Sequence, residues 1–137
     1  MSFYVQDFIK LALNQNIPSS RKVLLTEIID YIKSKIDNNQ EINLNFICTH
    51  NSRRSQLSQV WAKVASVYYG IEINSYSGGV EVNAFNERAI DSLVRSGFSV
   101  LFENSINPKY EISYAENENP IIAFSKLFDD DFNKEDY

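Results

Sequence analysis

The chain has 137 residues, 44% of them hydrophobic, and a formal net charge of −5 at pH 7. This length suits one domain with a single core, and the acidic balance disfavours nucleic acid or an anionic membrane as a partner. The one cysteine excludes an internal disulfide and a cysteine-rich metal site. No stretch resembles a signal peptide or a membrane span. We expect a cytoplasmic protein without a metal or cofactor.

Two helices are predicted before the first strand. Phe3 to Asn14 has apolar residues at helical spacing behind Ser2, a candidate N-cap. A second helix is predicted from about Arg21 to Ile36, with a broad apolar stripe: Leu24, Leu25, Ile28, Tyr31, Ile32 and Ile36. We interpret residues 1–40 as a helical extension that packs on the domain. A helix-turn-helix DNA-binding pair is the alternative, which the acidic composition disfavours.

A strand, a loop and a helix follow the polar linker 37–40. Four β-forming apolar residues predict the strand: Ile42, Leu44, Phe46 and Ile47. The helix, from Gln56 onward, has one apolar face: Leu57, Val60, Trp61, Val64, Val67 and Tyr68. The loop between them contains the only cysteine. A helix N-terminus behind such a loop favours anions, because its first amides are unpaired and its dipole is positive there.

The residue types of this loop indicate thiolate chemistry. The helix N-terminus and nearby arginines favour the ionised form of Cys48, which is the nucleophilic form. Arg54 can grip two oxygens of a tetrahedral oxyanion with its planar fork. Ser55 can donate a hydrogen bond to the sulfur. The alternative is that Cys48 is a small buried hydrophobe at the end of a strand.

The octet from Cys48 to Ser55 resembles the phosphate-binding loop of low-molecular-weight protein tyrosine phosphatases and thioredoxin-linked arsenate reductases. Their pattern is Cys, any residue, Gly, Asn, any residue, Cys, Arg, Ser, and four positions match: Cys48, Asn51, Arg54 and Ser55. Ser77-Gly78-Gly79 after the next strand strengthens the resemblance, which runs from about Glu41 to Phe98. The chain is also similar to a bacterial branch of the family with a helical N-terminal extension.

The resemblance implies an α/β three-layer sandwich with a central parallel sheet, and hydrolysis of phosphate monoesters through a phosphocysteine on Cys48. It implies catalytic roles for Cys48, Arg54 and Ser55 and a supporting role for Ser77. The oxyanion, which is phosphate, phosphotyrosine or arsenate, would be held by the rest of the loop: Thr49, His50, Asn51, Ser52, Arg53 and Arg54. His50 replaces the family's glycine, and it either contacts the substrate or adopts positive φ with its ring in solvent. Arg53 replaces the second cysteine and is expected to point outward.

The later elements complete the predicted sheet. Strands are expected at 71–76 and 98–102, with a helix at 83–96 between them. Alternation of strands and helices predicts one parallel sheet with right-handed crossovers and the loop at a strand's carboxyl end. Residues 110–124 predict a β-hairpin, which closes a sheet core over 41–125. The acidic residues of 126–137 predict a solvated, partly disordered tail.

One part of the phosphatase machinery is not found. The resemblance implies an acid in an Asp-Pro pair after a fourth strand, and this chain contains no Asp-Pro. We expect either a fragment, with an open sheet edge that favours a homodimer, or a shortened relative. Asp129 to Asp131 are weak candidates for the acid. The alternatives to a phosphatase are an arsenate reductase whose resolving cysteines are missing from this chain, and a non-catalytic oxyanion-binding module.

Overall fold

A computed structural model describes residues 1–134, so Glu135 and Asp136 of the predicted tail lie outside the described residues. The chain begins with helix α1 (Phe3–Leu13), as predicted. Ser2 caps it, because the Ser2 hydroxyl accepts a hydrogen bond from the Val5 amide at 3.3 Å. Val5 and Ile9 on α1 are buried in the core. In the described residues no helix is long and apolar enough to cross a membrane.

Helix α2 (Ser19–Asp37) forms where the sequence predicts it, but it does not pack as predicted. No residue of α2 is buried, and Leu24 in its apolar stripe is 69% exposed. Only the C-terminal half approaches the domain, where the Tyr31 hydroxyl donates to the Asn43 carbonyl at 3.4 Å. An apolar stripe shows that a helix can bury a face, whereas the rest of the fold decides whether a partner surface lies opposite.

The central unit is a parallel βαβ arrangement. Strand β1 (Asn43–Cys48) pairs with β2 (Asn74–Gly79), and helix α3 (Arg54–Tyr69) connects them and packs on both. The register places Cys48 opposite Gly79, so the first strand ends beside a glycine of the second. β2 lies three residues later than the predicted strand. Helix α4 (Glu87–Arg95) follows and is capped by Asn86, whose side chain accepts from the Arg88 amide.

The last three strands form a separate antiparallel sheet, which corrects the prediction of one parallel sheet. Strand β3 (Ser99–Leu101) pairs antiparallel with β4 (Tyr110–Ser113), which pairs with β5 (Ile121–Ala123). The predicted hairpin is therefore confirmed, and the predicted third parallel strand is wrong. A three-residue strand carries little information about its partner. Here the hairpin provides one, since its buried face anchors it in the core: Tyr110, Ile112, Ile121 and Ala123.

Residues 126–134 pack on the domain, so the prediction of a solvated tail is wrong for this part of the chain. Leu127 forms a parallel bridge with Gly79. Asn133 is buried and donates from Nδ2 to the Ser77 carbonyl at 3.0 Å. Lys126 is buried beside two phenylalanine rings, and desolvation lowers its pKa to about 8. Charge alone suggested a tail, whereas the interspersed Leu127, Phe128 and Phe132 supply the apolar contacts.

Open sheet edges are present among the residues described. β1, β3 and β5 each pair with one named strand, and Ile47 on β1 is 55% exposed. Such edges expose unpaired backbone groups and favour association. Dimerisation through one of them stays a prediction.

Candidate active site

The loop between β1 and α3 has a fixed and unusual backbone. Cys48 is the last residue of β1, and α3 begins at Arg54. Asn51 adopts φ +46° and is fully buried. Asn39 and Asn51 are the non-glycine residues with positive φ among those described, so the interpretation that placed His50 in this region is wrong. Asparagine is one of the side chains that tolerate this conformation, and its amide then bonds locally.

The cysteine sulfur faces a directed chain of hydrogen bonds. Ser55 Oγ lies 3.0 Å from Cys48 Sγ, and Asn51 Nδ2 donates to the same Oγ at 2.7 Å. Because the Asn51 amide nitrogen can only donate, Ser55 Oγ accepts on that side, and its own hydrogen remains available for donation to an ionised sulfur. A hydrogen bond to the charged form of an acid favours that form. The arrangement therefore stabilises a thiolate.

The pKa of Cys48 is lowered overall by its surroundings. Desolvation by burial is the largest single influence, and it raises the pKa of the thiol. Hydrogen bonds from Ser55 and from the backbone amides of Asn51 and Ser52 lower the pKa, and their sum outweighs desolvation. These amides converge on the sulfur because they belong to the first turn of a helix and the loop before it. The same donors can bind the oxygens of an anion placed above the sulfur.

Replacing Ser55 with alanine is expected to raise the pKa of Cys48. The side-chain hydrogen bond that favours the thiolate disappears, whereas burial, which disfavours it, remains. The rate of alkylation by iodoacetamide should then rise with pH at higher pH values than in the unchanged protein, since only the thiolate reacts. Ser58→Ala is the matched control, because Ser58 Oγ donates to the Arg54 carbonyl in a solvent-exposed hydrogen bond on α3 and does not contact the sulfur. Identical pH profiles for Ser55→Ala and the unchanged protein would contradict this account.

Neighbouring segments hold the loop in place. Buried Gln56 donates from Nε2 to the Asn51 carbonyl at 3.0 Å, and the Lys126 amide donates to Asn51 Oδ1 at 3.0 Å. Ser125 Oγ donates to the His50 carbonyl at 2.9 Å. Ser52 Oγ donates to the carbonyl of Ala84 at 2.7 Å. The loop is therefore preorganised from α3, from the segment after β5 and from the β2–α4 connection.

The loop forms one side of an open cleft of about 360 Å³. Seven residues line it: Cys48, His50, Ser52, Arg53, Arg54, Asn83 and Asn86. Five of the predicted site residues, Cys48 among them, thus line the cleft. Arg53 was expected to point outward, yet it borders the cleft beside Arg54. This concentration of cationic and polar groups around a thiol suits a small oxyanion.

Three residues of the predicted loop lie outside the set that lines the cleft. Thr49 is exposed, and its carbonyl accepts from the Glu81 amide. Asn51 and Ser55 are buried below the cleft, where Ser55 contacts the Cys48 sulfur and Asn51 contacts Ser55. Asn83 and Asn86 were missed by sequence reasoning, because the β2–α4 connection carries no recognisable spacing. The buried hydroxyl of Ser125, which donates to His50 and accepts from the Asn83 amide at 2.8 Å, joins the two walls.

Ser77, the fourth predicted residue outside the cleft, lies in the interior. It is fully buried under α3, where its hydroxyl donates to Gln59 Oε1 at 2.6 Å. Asp129, Asp130 and Asp131 are not among the residues that line the cleft. Within residues 1–134 no group of three or more His, Cys, Asp or Glu side chains is arranged to hold a metal ion.

Comparison with known proteins gives partial matches to bacterial arsenate reductases. The chain is 37% identical over 60 residues to an arsenate reductase of Bacillus licheniformis, which covers 44% of this chain and 41% of that protein. It is 40% identical over 55 residues to one of Staphylococcus epidermidis, covering 40% of each. The match to one of Staphylococcus aureus is 31% identical over 78 residues, covering 57% of this chain and 56% of that protein.

The chain therefore spans about two fifths to just over half the length of the curated relatives it matches. No protein-family model and no solved structure matches it. Over part of its length the chain is similar to bacterial arsenate reductases, and its α/β unit with a parallel strand pair carries the candidate site.

Proposed function

We propose that this chain binds tetrahedral oxyanions and hydrolyses phosphate monoesters in the manner of a low-molecular-weight protein tyrosine phosphatase, with Cys48 as nucleophile. The observation that carries the proposal is the hydrogen-bond chain from Asn51 through Ser55 to the sulfur, at 2.7 and 3.0 Å. It favours the thiolate form of Cys48, in keeping with the lowered pKa of this thiol. Arg54 borders the same cleft and supplies a planar cation for two phosphate oxygens.

The first chemical step forms a sulfur–phosphorus bond. The Cys48 thiolate attacks the phosphorus in line with the ester oxygen, the phosphorus–oxygen bond breaks, and its electron pair leaves with the alcohol or phenol. Water then attacks the phosphocysteine, which releases inorganic phosphate and returns the electron pair to the sulfur as thiolate. The hydrogen bond from Ser55 stabilises the thiolate before it attacks, and again in the second step, when the sulfur leaves phosphorus and regains its negative charge.

Aryl phosphates are the proposed substrates. Phenolates leave more readily than alkoxides, and the acidic residues Asp129 to Asp131 are not at the cleft to protonate a poor leaving group. A phosphotyrosine side chain is therefore a better candidate than phosphoserine. We also propose a reducing compartment such as the cytoplasm, since a working thiolate must stay unoxidised.

Arsenate reduction is the second candidate, and the arsenate reductase names of the relatives favour it. The Cys48 thiolate would attack arsenate and displace water. A thiol from outside the chain would then attack the sulfur, forming a disulfide while the sulfur–arsenic electron pair reduces As(V) to As(III). The external thiol is required because Cys48 is the only cysteine of the chain.

A stopped-flow experiment with excess p-nitrophenyl phosphate tests the proposal. We expect a burst of p-nitrophenolate equal to the amount of protein, followed by slower turnover, and no burst with Cys48→Ser. The serine variant keeps the size of the side chain but lacks the low-pKa nucleophile. Parallel incubation with arsenate and excess small thiol, with measurement of arsenite, tests the second candidate.

The outcomes separate the hypotheses. A burst without arsenite formation supports the phosphatase, whereas arsenite formation that depends on Cys48, without a burst, supports the reductase. If neither occurs while inorganic phosphate still protects Cys48 from alkylation, the catalytic proposal is overturned and the chain is an oxyanion-binding module.

A further inference from the structure

Phosphate-ester hydrolysis needs two proton transfers for which the site described above provides no carboxylic acid. The leaving oxygen gains a proton in the first step, and the attacking water loses one in the second. Seven residues border the cleft, and none of them is Asp or Glu. His50 is the only histidine of the chain and is one of these seven. Imidazole is the side chain that most often performs such transfers.

His50 is paired with a carboxylate at the mouth of the cleft. Its Nε2 lies 3.2 Å from Oε2 of Glu81, and both side chains are more than half exposed. The pairing is built into the backbone, because the Glu81 amide donates to the Thr49 carbonyl at 2.9 Å and so places Glu81 beside the loop. A carboxylate hydrogen-bonded to one ring nitrogen fixes the orientation of the ring.

The backbone under the ring is held rigidly. The carbonyl of His50 accepts the Ser125 hydroxyl hydrogen bond, and the following residue is the buried Asn51. Because Glu81 engages Nε2, Nδ1 is the nitrogen that remains for the substrate. Glu81 is the charged group that contacts the ring, and Cys48, Arg53 and Arg54 line the same cleft as His50.

We propose that His50, oriented by Glu81, is the general acid and general base of the Cys48 reaction. This inference rests on the proposed phosphatase function. In the first step protonated His50 gives its Nδ1 proton to the ester oxygen while the sulfur–phosphorus bond forms and the phosphorus–oxygen bond breaks. In the second step neutral His50 takes a proton from the water that attacks phosphorus, and the thiolate leaves. Each turnover returns His50 to its starting state.

The test compares two leaving groups in the stopped-flow. Burst rates are measured with p-nitrophenyl phosphate and with phenyl phosphate, whose phenolate is the poorer leaving group. For His50→Gln we expect the phenyl phosphate burst to fall about 10²-fold, the low end of general acid catalysis, and the p-nitrophenyl phosphate burst to fall much less. Turnover after the burst should also slow. Glu81→Gln should lower the two burst rates and the turnover rate after the burst, each by a smaller factor than His50→Gln does.

A matched control separates local from long-range effects. Glu116→Gln removes the same charge from an exposed turn distant in sequence from the cleft, and it should leave the ratio of the two burst rates unchanged. Equal losses on both substrates in His50→Gln, or no loss, would overturn the role of His50 while the phosphatase proposal stands. If the unchanged protein gives no burst with either substrate, both proposals are overturned.

Discussion

Replacing Arg54 with lysine is expected to lower the burst rate with p-nitrophenyl phosphate by about 10²-fold, the usual loss when an oxyanion contact is removed. Lysine keeps the charge but offers a single ammonium group, so it cannot place two parallel N–H bonds on two phosphate oxygens. Arg54 is the first residue of α3 and borders the cleft, so it lies at the same helix N-terminus as the amides next to the sulfur. Protection of Cys48 by inorganic phosphate should weaken as well.

Arg53 offers the matched control, because it is adjacent in sequence and borders the same cleft. If it acts only through its charge, Arg53→Lys should cost less than about tenfold in burst rate, since a lysine supplies the same field. Equal losses for the two variants would contradict the assignment of Arg54 as the specific clamp. A larger loss for Arg53→Lys would transfer that role to Arg53.

Replacing Gly79 with alanine is expected to destabilise the protein by about 3 kcal/mol, at the upper end of ordinary overpacking, and to displace the loop from Cys48 to Ser55. A Cβ at this position would lie 2.8 Å from the Asn51 amide nitrogen, 2.8 Å from the Glu81 carbonyl oxygen and 2.9 Å from the Thr49 carbonyl oxygen. All three are backbone atoms, so no side chain can move aside. The loop must shift, and small displacements of reacting groups are costly in rate. Urea unfolding and the p-nitrophenyl phosphate burst measure the two effects.

Gly70→Ala is the control for this substitution. Gly70 ends α3 with φ +67°, and a Cβ there would meet nothing within 4 Å. The cost is therefore conformational, on the order of 1 kcal/mol, and the burst rate should not change. If Gly79→Ala is as stable as Gly70→Ala and keeps its burst, the close approach of β2 to the loop is needed neither for stability nor for activity, and the prediction is wrong.

The local sequence predicts the site better than it predicts the sheet. A strand of β-forming residues, an octet with a cysteine and an arginine, and an amphipathic helix are all short-range features, and the structure places them in that order. The octet also contains Ser55, whose hydroxyl lies 3.0 Å from the sulfur. It does not reveal that Asn51 rather than His50 has positive φ, because both residue types tolerate that region and the choice depends on the buried partners of Asn51.

Contacts between residues far apart in sequence were not predictable. The Ser125 hydroxyl reaches the His50 carbonyl over 75 residues, and the Lys126 amide reaches Asn51 over the same separation. Neither residue belongs to a motif. Asn83 and Asn86 enter the cleft only because the β2–α4 connection is tied to Ser52 and Ser125. Only the tertiary structure brings these residues to the cleft.

Sequence and tertiary structure thus decided different properties of this protein. Periodicity and residue type are enough for the helices, the first strand and the hairpin, and for the position of the loop that follows the first strand, since each depends on neighbours within a few turns of chain. The partner of β3, the exposure of α2 and the packing of residues 126–134 depend on which surfaces meet in three dimensions. Short strands and apolar stripes are compatible with several partners, and only the whole fold selects among them.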